Sequence, residues 1–139
     1  MTSYATLYSR CLAKLDDPTL AMLAEEDLEN MLRGYLMSAI AKHRTCEHDL
    51  SDRDDELMQF NFDMSDIELE IVSLLMAREW ISQQLLSVTN TLQVFSGKET
   101  NYYSQAAHLK ELQALDEKYR LEAQQLSRDY TYAHSDYFD

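Results

Sequence analysis

Apolar residues recur at spacings of three and four over four stretches of this chain, and that period predicts helices. In residues 4–15, Leu7, Cys11 and Leu12 recur with Tyr8 and Leu15. Asp16-Asp17-Pro18 stops this helix, with Asp17 suited to cap the next turn and Pro18 suited to its first position, so residues 18–23 form a short helical turn. A second helix covers 25–44, with a buried stripe of Leu28, Met31, Leu32, Tyr35, Leu36, Ala39 and Ile40. Glu25, Glu26 and Asp27 crowd its start and Lys42, His43 and Arg44 its end, the order the helix dipole prefers. Gly34 inside it costs about 1 kcal/mol against Ala, which points to a close helix–helix approach there.

Residues 45–64 lose the period and form a connection. Ser65 and Glu68 make a capping box, so a third helix begins at Asp66 and continues to 86. It is apolar on nearly every side (Ile67, Leu69, Ile71, Val72, Leu74, Leu75), which marks the central helix of a bundle. Trp80, the chain's one tryptophan, belongs to the same core. Residues 87–103 read as a second connection with a turn at Gly97-Lys98. Ser104 then caps a fourth helix, 105–130, roughly 40 Å long. Leu109, Leu112, Leu115, Tyr119, Ala123, Leu126 and Tyr130 line one of its faces. From Thr131 the period is lost again, and residues 131–139 are acidic and aromatic.

The expectation is an all-α fold: a small bundle of about four helices with a long C-terminal helix and an extended C-terminal tail. The domain is 1–130, with an acidic loop at 45–64, and the tail is 131–139. The length of 139 residues suits one domain, and two glycines with one proline starve any β-sandwich or barrel of turns. No glycine has a partner at phosphate-loop spacing. The longest apolar-rich stretch, 67–81, is interrupted by charges and is no membrane span. The start, Met1-Thr2-Ser3-Tyr4, shows no secretion signal.

Charge changes the picture more than composition does. The net charge is −13, and residues 47–70 alone hold ten acids and one base. Such a chain lacks the basic face that nucleic-acid binding needs, and its natural complement is a basic protein surface or a metal ion. Asp54 and Asp55 are the residues of this loop expected to meet a basic partner. A calcium loop started at Asp52 places Asp54 and Glu56 correctly, but has Leu57 where the turn requires Gly and Asp63 where a bidentate Glu belongs. His43, Cys46 and His48 are chemically competent for zinc, yet match no standard ligand spacing and lack a fourth ligand. A cationic His43 at a helix C-terminus is the plainer account. Cys11 and Cys46 form no CxxC and read as reduced thiols. No nucleophile–base signature is present, so no enzyme, cofactor or metal is expected.

Three segments carry a resemblance: Glu79-Trp80-Ile81 in the third helix, the run from Tyr103 to Leu112 opening the fourth, and Arg128-Asp129-Tyr130-Thr131-Tyr132 before the tail. Together they resemble the head–tail connector, or adaptor, family of the neck of tailed bacteriophages. The resemblance covers the last half of the chain and does not extend to 47–64. It implies a virion protein that forms a ring with copies of itself, a dodecamer, beneath the portal protein. Downstream neck or tail-completion proteins would lie below, and phage DNA would pass through the channel without specific binding. The partner-contact residues are then Arg128, Tyr130, Tyr132, Tyr137 and Phe138, with the tail docking on the portal or a neighbouring subunit. Two other classes stay open on charge and helicity: an acidic DNA-mimic inhibitor, and a helical scaffolding or chaperone-like protein.

Overall fold

The computed structural model of the protein describes residues 1–15, 20, 22–43, 48–94 and 99–133. Four helices follow in chain order: α1 (Tyr4–Leu12), α2 (Glu25–Lys42), α3 (Asp66–Val94) and α4 (Glu99–Ala133). Between α2 and α3 lie two short strands, β1 (Arg53–Asp54) and β2 (Gln59–Phe60). Among the described residues 75% are helical, in line with the apolar periods.

The first three helix starts have local causes. Ser3 caps α1, its side chain accepting from the Ala5 amide at 3.2 Å. Three acids open α2. At α3 the capping box closes: Ser65 Oγ accepts from the Glu68 amide, and Glu68 Oε1 accepts from the Ser65 amide at 3.2 Å and from its hydroxyl at 2.9 Å. Burial of the carboxylate with only 2% exposure makes this box part of the core.

Helix α3 is the centre of the bundle and packs against each of the other three. Leu69, Ile71, Val72, Leu74, Met76 and Ile81 are buried around its whole circumference. Trp80 is in the core, as expected. Helix α4 runs antiparallel to it: Arg78 of α3 meets Asp116 of α4, while Leu75, earlier in α3, shares a cleft with Ala123, later in α4. Polar ties fix the other packings. Arg10 and Lys14 grip Glu70 at 3.0 and 2.6 Å, Tyr35 donates to Gln83 at 2.7 Å, and Tyr119 donates to the Lys14 carbonyl at 2.7 Å.

Several boundaries differ from the sequence reading. Helix α1 ends at Leu12, because Lys14 and Leu15 tighten into bonds to carbonyls three residues back. Helix α3 continues to Val94 and α4 begins at Glu99, so most of the expected connection 87–103 is helix and Ser104 is interior. The Gly97-Lys98 turn, Asp17 and Pro18 lie outside the described residues. Gly34 does not mark a close approach: a Cβ built there meets nothing within 4 Å. The tail boundary also moves. Thr131, Tyr132 and Ala133 are the last turn of α4, with the Thr131 hydroxyl donating to the Ser127 carbonyl at 2.7 Å. A helix face in solvent needs no apolar period, which is why the pattern stopped three residues early.

The acidic connection is partly ordered into an antiparallel hairpin, pairing Arg53 with Phe60 and Asp54 with Gln59. The N-terminus docks on it. Phe60 donates to the Thr2 carbonyl at 2.7 Å, Thr2 to the Phe62 carbonyl at 3.0 Å, and Tyr4 to the Met58 carbonyl at 2.9 Å. Tyr4 and Phe60 pack edge to face at 5.2 Å, and Phe60 contacts Phe62 at 5.5 Å. This aromatic cluster seals one end of the bundle.

Candidate functional site

The C-terminal end of α2, the middle of α3 and the second half of α4 enclose a cleft of about 530 Å³. Four of the chain's twelve lysines and arginines line it: Lys42, Arg78, Arg120 and Arg128. Leu75 and Ala123 supply its apolar wall. In a protein of net charge −13 this is a local reversal of sign, and helical register produces it. Arg120 and Arg128 are eight residues apart on one face of α4, and the antiparallel pairing brings Arg78 against that face.

Three of the four cations have partners nearby. Lys42 pairs with Glu79, Arg78 Nε with Asp116 at 3.0 Å, and Arg120 Nε donates to Glu117 at 2.9 Å. Arg128 makes no ion pair with any described residue. A second, shallower groove of about 350 Å³ lies on its other side, lined by Ser127, Thr131 and Tyr132. Arg128 therefore stands on the ridge between a cationic cleft and a small groove, its guanidinium available to an incoming carboxylate or phosphate.

His43 also lines the cleft. It is 7% exposed, caps α2, and meets Tyr130 edge-on at 6.4 Å. Its Nε2 has no hydrogen-bond partner among the described residues. Burial lowers its pKa, against the opposing pull of the Glu68 carboxylate. Against the expectation of a cationic His43 favouring the helix dipole, burial at this site disfavours the cation.

The sequence candidates fall in different places. Arg128 and Tyr132 are exposed on the last turns of α4, Tyr132 at 64%. Tyr130, expected to meet a partner, is 1% exposed in this chain and meets His43 edge-on, so its ring lies in the core here. Tyr137 and Phe138 lie outside the described residues, as does Cys46. Asp54 and Asp55 are engaged within the hairpin. Asp54 accepts from the Glu56 and Leu57 amides at 2.9 and 3.1 Å. Asp55 accepts from the Tyr4 hydroxyl at 2.6 Å and from Arg53 at 3.3 Å, with Arg33 at 3.9 Å. The Tyr4 hydrogen bond, above the nearby guanidiniums, holds the Asp55 carboxyl below the usual range.

His48 does not face His43 across a metal position. Its Nδ1 meets buried Glu68 at 2.8 Å and its ring stacks on Phe62 at 4.5 Å and 9°. Among the described residues no three His, Cys, Asp or Glu side chains form a group that could hold a metal. The Cys11 thiol is buried and pushed up to about 12, which removes it from nucleophilic chemistry. Sequence reasoning missed the cleft and the buried Glu68. The signal for the cleft was present in four bases placed late in α2, mid α3 and late α4, but seeing them together required the helix pairing. No family model, curated protein or solved structure matches this chain.

Proposed function

We propose that this chain is a structural assembly subunit of the head–tail connector type. Copies form a ring, a dodecamer, below the portal of a tailed bacteriophage. The ring joins the capsid vertex to downstream neck or tail-completion proteins, and DNA passes through its channel without specific binding. The virion neck is its place, no membrane takes part, and no residue is assigned a catalytic or cofactor role.

The observation that carries this reading is the far end of α4. Arg128 lines both concavities and Tyr132 lines the smaller one, and in sequence they lead into an acidic, aromatic segment. An exposed arginine with no ion pair to any described residue suits a ring subunit, which needs adhesive surface at one pole. The acidic loop weighs against the DNA-mimic alternative. A mimic presents free carboxylates at phosphate-like spacing, but Asp49, Asp52, Asp54, Asp55 and Asp63 each accept a hydrogen bond from this chain itself.

Mass photometry of the cognate portal ring with and without this chain tests the proposal. The expected result is a portal particle heavier by a ring of 16.2 kDa subunits, with the gain diminished for Arg128→Glu. Portal rings whose mass does not change would overturn it.

A further inference from the structure

The cleft between α2, α3 and α4 reverses the sign of the protein around it. The described residues that line it include Lys42, Arg78, Arg120 and Arg128 and no acid, in a chain of 25 acids and 12 lysines and arginines. We propose that this cleft binds a small phosphate-bearing ligand, a phosphate ester or a short polyphosphate, with Arg128 as the principal cation for the phosphoryl oxygens. The site lies within one folded chain and is independent of the connector reading.

Three of the cations are held in place by carboxylates that do not line the cleft. Lys42 pairs with Glu79, Arg78 with Asp116 through Nε at 3.0 Å, and Arg120 with Glu117 through Nε at 2.9 Å. A guanidinium presents five N–H donors in a fixed fork, so Arg78 and Arg120 keep donors for a second acceptor while these pairs orient them. The three acids cancel part of the positive field. Arg128 restores it, being exposed and without an ion pair to any described residue. His43 lines the same cleft, and its buried Nε2 has no hydrogen-bond partner among the described residues. The wall therefore includes a polar group that the fold itself leaves unpaired.

Shape and charge select phosphate over a lone carboxylate. The cations come from three helices: Lys42 from α2, Arg78 from α3, Arg120 and Arg128 from α4. A carboxylate offers two oxygens in one plane. A phosphate monoester offers three around a tetrahedral centre and carries a charge of about −1.5 to −2 near neutral pH. Gln124 and Ser127 add neutral donors from α4. The volume of about 530 Å³ falls within the roughly 300–1,000 Å³ of small-molecule sites. Leu75 and Ala123 then give an organic body an apolar wall to lie on. A nucleic-acid duplex fits less well, because a chain of net charge −13 repels a polyanion that extends beyond the cleft.

Isothermal titration calorimetry of the full-length chain in chloride buffer, with inorganic pyrophosphate and with adenosine monophosphate as probes, tests this. Side-chain NMR of the histidines locates the site. Saturable one-to-one binding of at least one probe is expected. The His43 ring signals should move, and those of His48, which stacks on Phe62 and does not line the cleft, should stay in place. Arg128→Gln should weaken binding about tenfold or more, as when a charge-assisted hydrogen bond is lost. Lys110→Gln removes an equal charge from an exposed position of α4 outside the cleft lining and should keep the affinity within about twofold, the effect of a screened distant charge. Both replaced residues are exposed, and circular dichroism checks that helicity is unchanged. Tighter binding of adenosine monophosphate supports an ester lying on the apolar wall, and tighter binding of pyrophosphate supports a polyphosphate.

Absence of saturable binding at millimolar probe, equal weakening by the two variants, or His43 signals that do not move overturns the proposal. Duplex DNA that binds the chain while neither probe competes with it also overturns the proposal, and makes the cleft a contact for a nucleic-acid backbone.

Discussion

His43 shows how one residue sets a pH dependence for the whole fold. Its folded-state pKa lies below the ordinary 6.5 because burial disfavours the cation. The charged groups around it are Glu68 from α3 and Lys42, Arg78, Arg120 and Arg128 on the cleft walls. Burial disfavours protonation and outweighs the Glu68 carboxylate, which favours it. The unfolded chain therefore binds a proton near pH 6.5 that the folded chain refuses. The contribution is fully present above the unfolded value and is lost as pH falls through it toward the folded one, at no more than about 1.4 kcal/mol per pH unit. His43→Phe keeps a flat ring against Tyr130 and removes the titration. Urea melts of both chains from pH 7.5 to 5 are expected to show the natural protein losing more stability on acidification. Parallel losses would mean that His43 is not the group responsible. Cys11 makes a second residue-scale case. A buried thiol pushed up to about 12 should resist iodoacetamide in the native protein at pH 8 and react once denaturant opens the core. Mass spectrometry of the Cys11 peptide reads this directly.

At the scale of elements, the helices were legible because burial imposed a period, and their ends were illegible where it did not. The stripe from Leu109 to Tyr130 on α4 is buried or half-buried at every expected position. The segments missed, 87–94 and 99–104, are rich in Ser, Thr and Asn, residues that read as loop when alone. They belong here to α3 and α4, two helices that pack against each other, and tertiary pairing overrides a weak local preference. The β1–β2 hairpin was illegible for a different reason. Its strands are two residues each, and they are held by Thr2 and Tyr4 from some sixty positions earlier. Gly34 illustrates how structure reverses a sequence argument. With open space around it and an ordinary helical position, Gly34→Ala is expected to stabilise the protein by about 0.5–1 kcal/mol in denaturant melts, through backbone entropy alone. A loss of stability would show that a close neighbour exists after all. Asp55 carries the matching prediction for the hairpin. Because the Tyr4 hydroxyl and two guanidiniums depress its pKa, its stabilising effect is present above the ordinary 3.8 and is lost as pH falls below that. Asp55→Lys should accordingly lower the melting temperature at neutral pH. If it only slows association with a basic partner, the loop is a docking surface and its hydrogen bonds are incidental.

At the scale of the molecule, the question is which residues at the end of α4 the fold depends on. The apolar pattern put the end of that helix at residue 130, and the structure carries it to Ala133 while burying Tyr130. The two borders predict different truncations. Removing 134–139 leaves every described core contact of α4 in place, including the Tyr130 ring against His43. Such a chain is expected to melt within a degree or two of the full-length protein while losing self-association. Removing 130–139 takes away a fully buried tyrosine that meets His43 edge-on. Deleting a large buried aromatic costs about 3–5 kcal/mol, which is a large share of the 5–15 kcal/mol that ordinarily holds a domain of this size. The shorter chain should therefore melt at least ten degrees lower and expose hydrophobic surface to a dye such as ANS. Two thermal scans and one sizing run decide the matter. Equal destabilisation by both truncations would make 134–139 part of this subunit's own core. Tolerance of both would show that the fold does not depend on the buried Tyr130 ring.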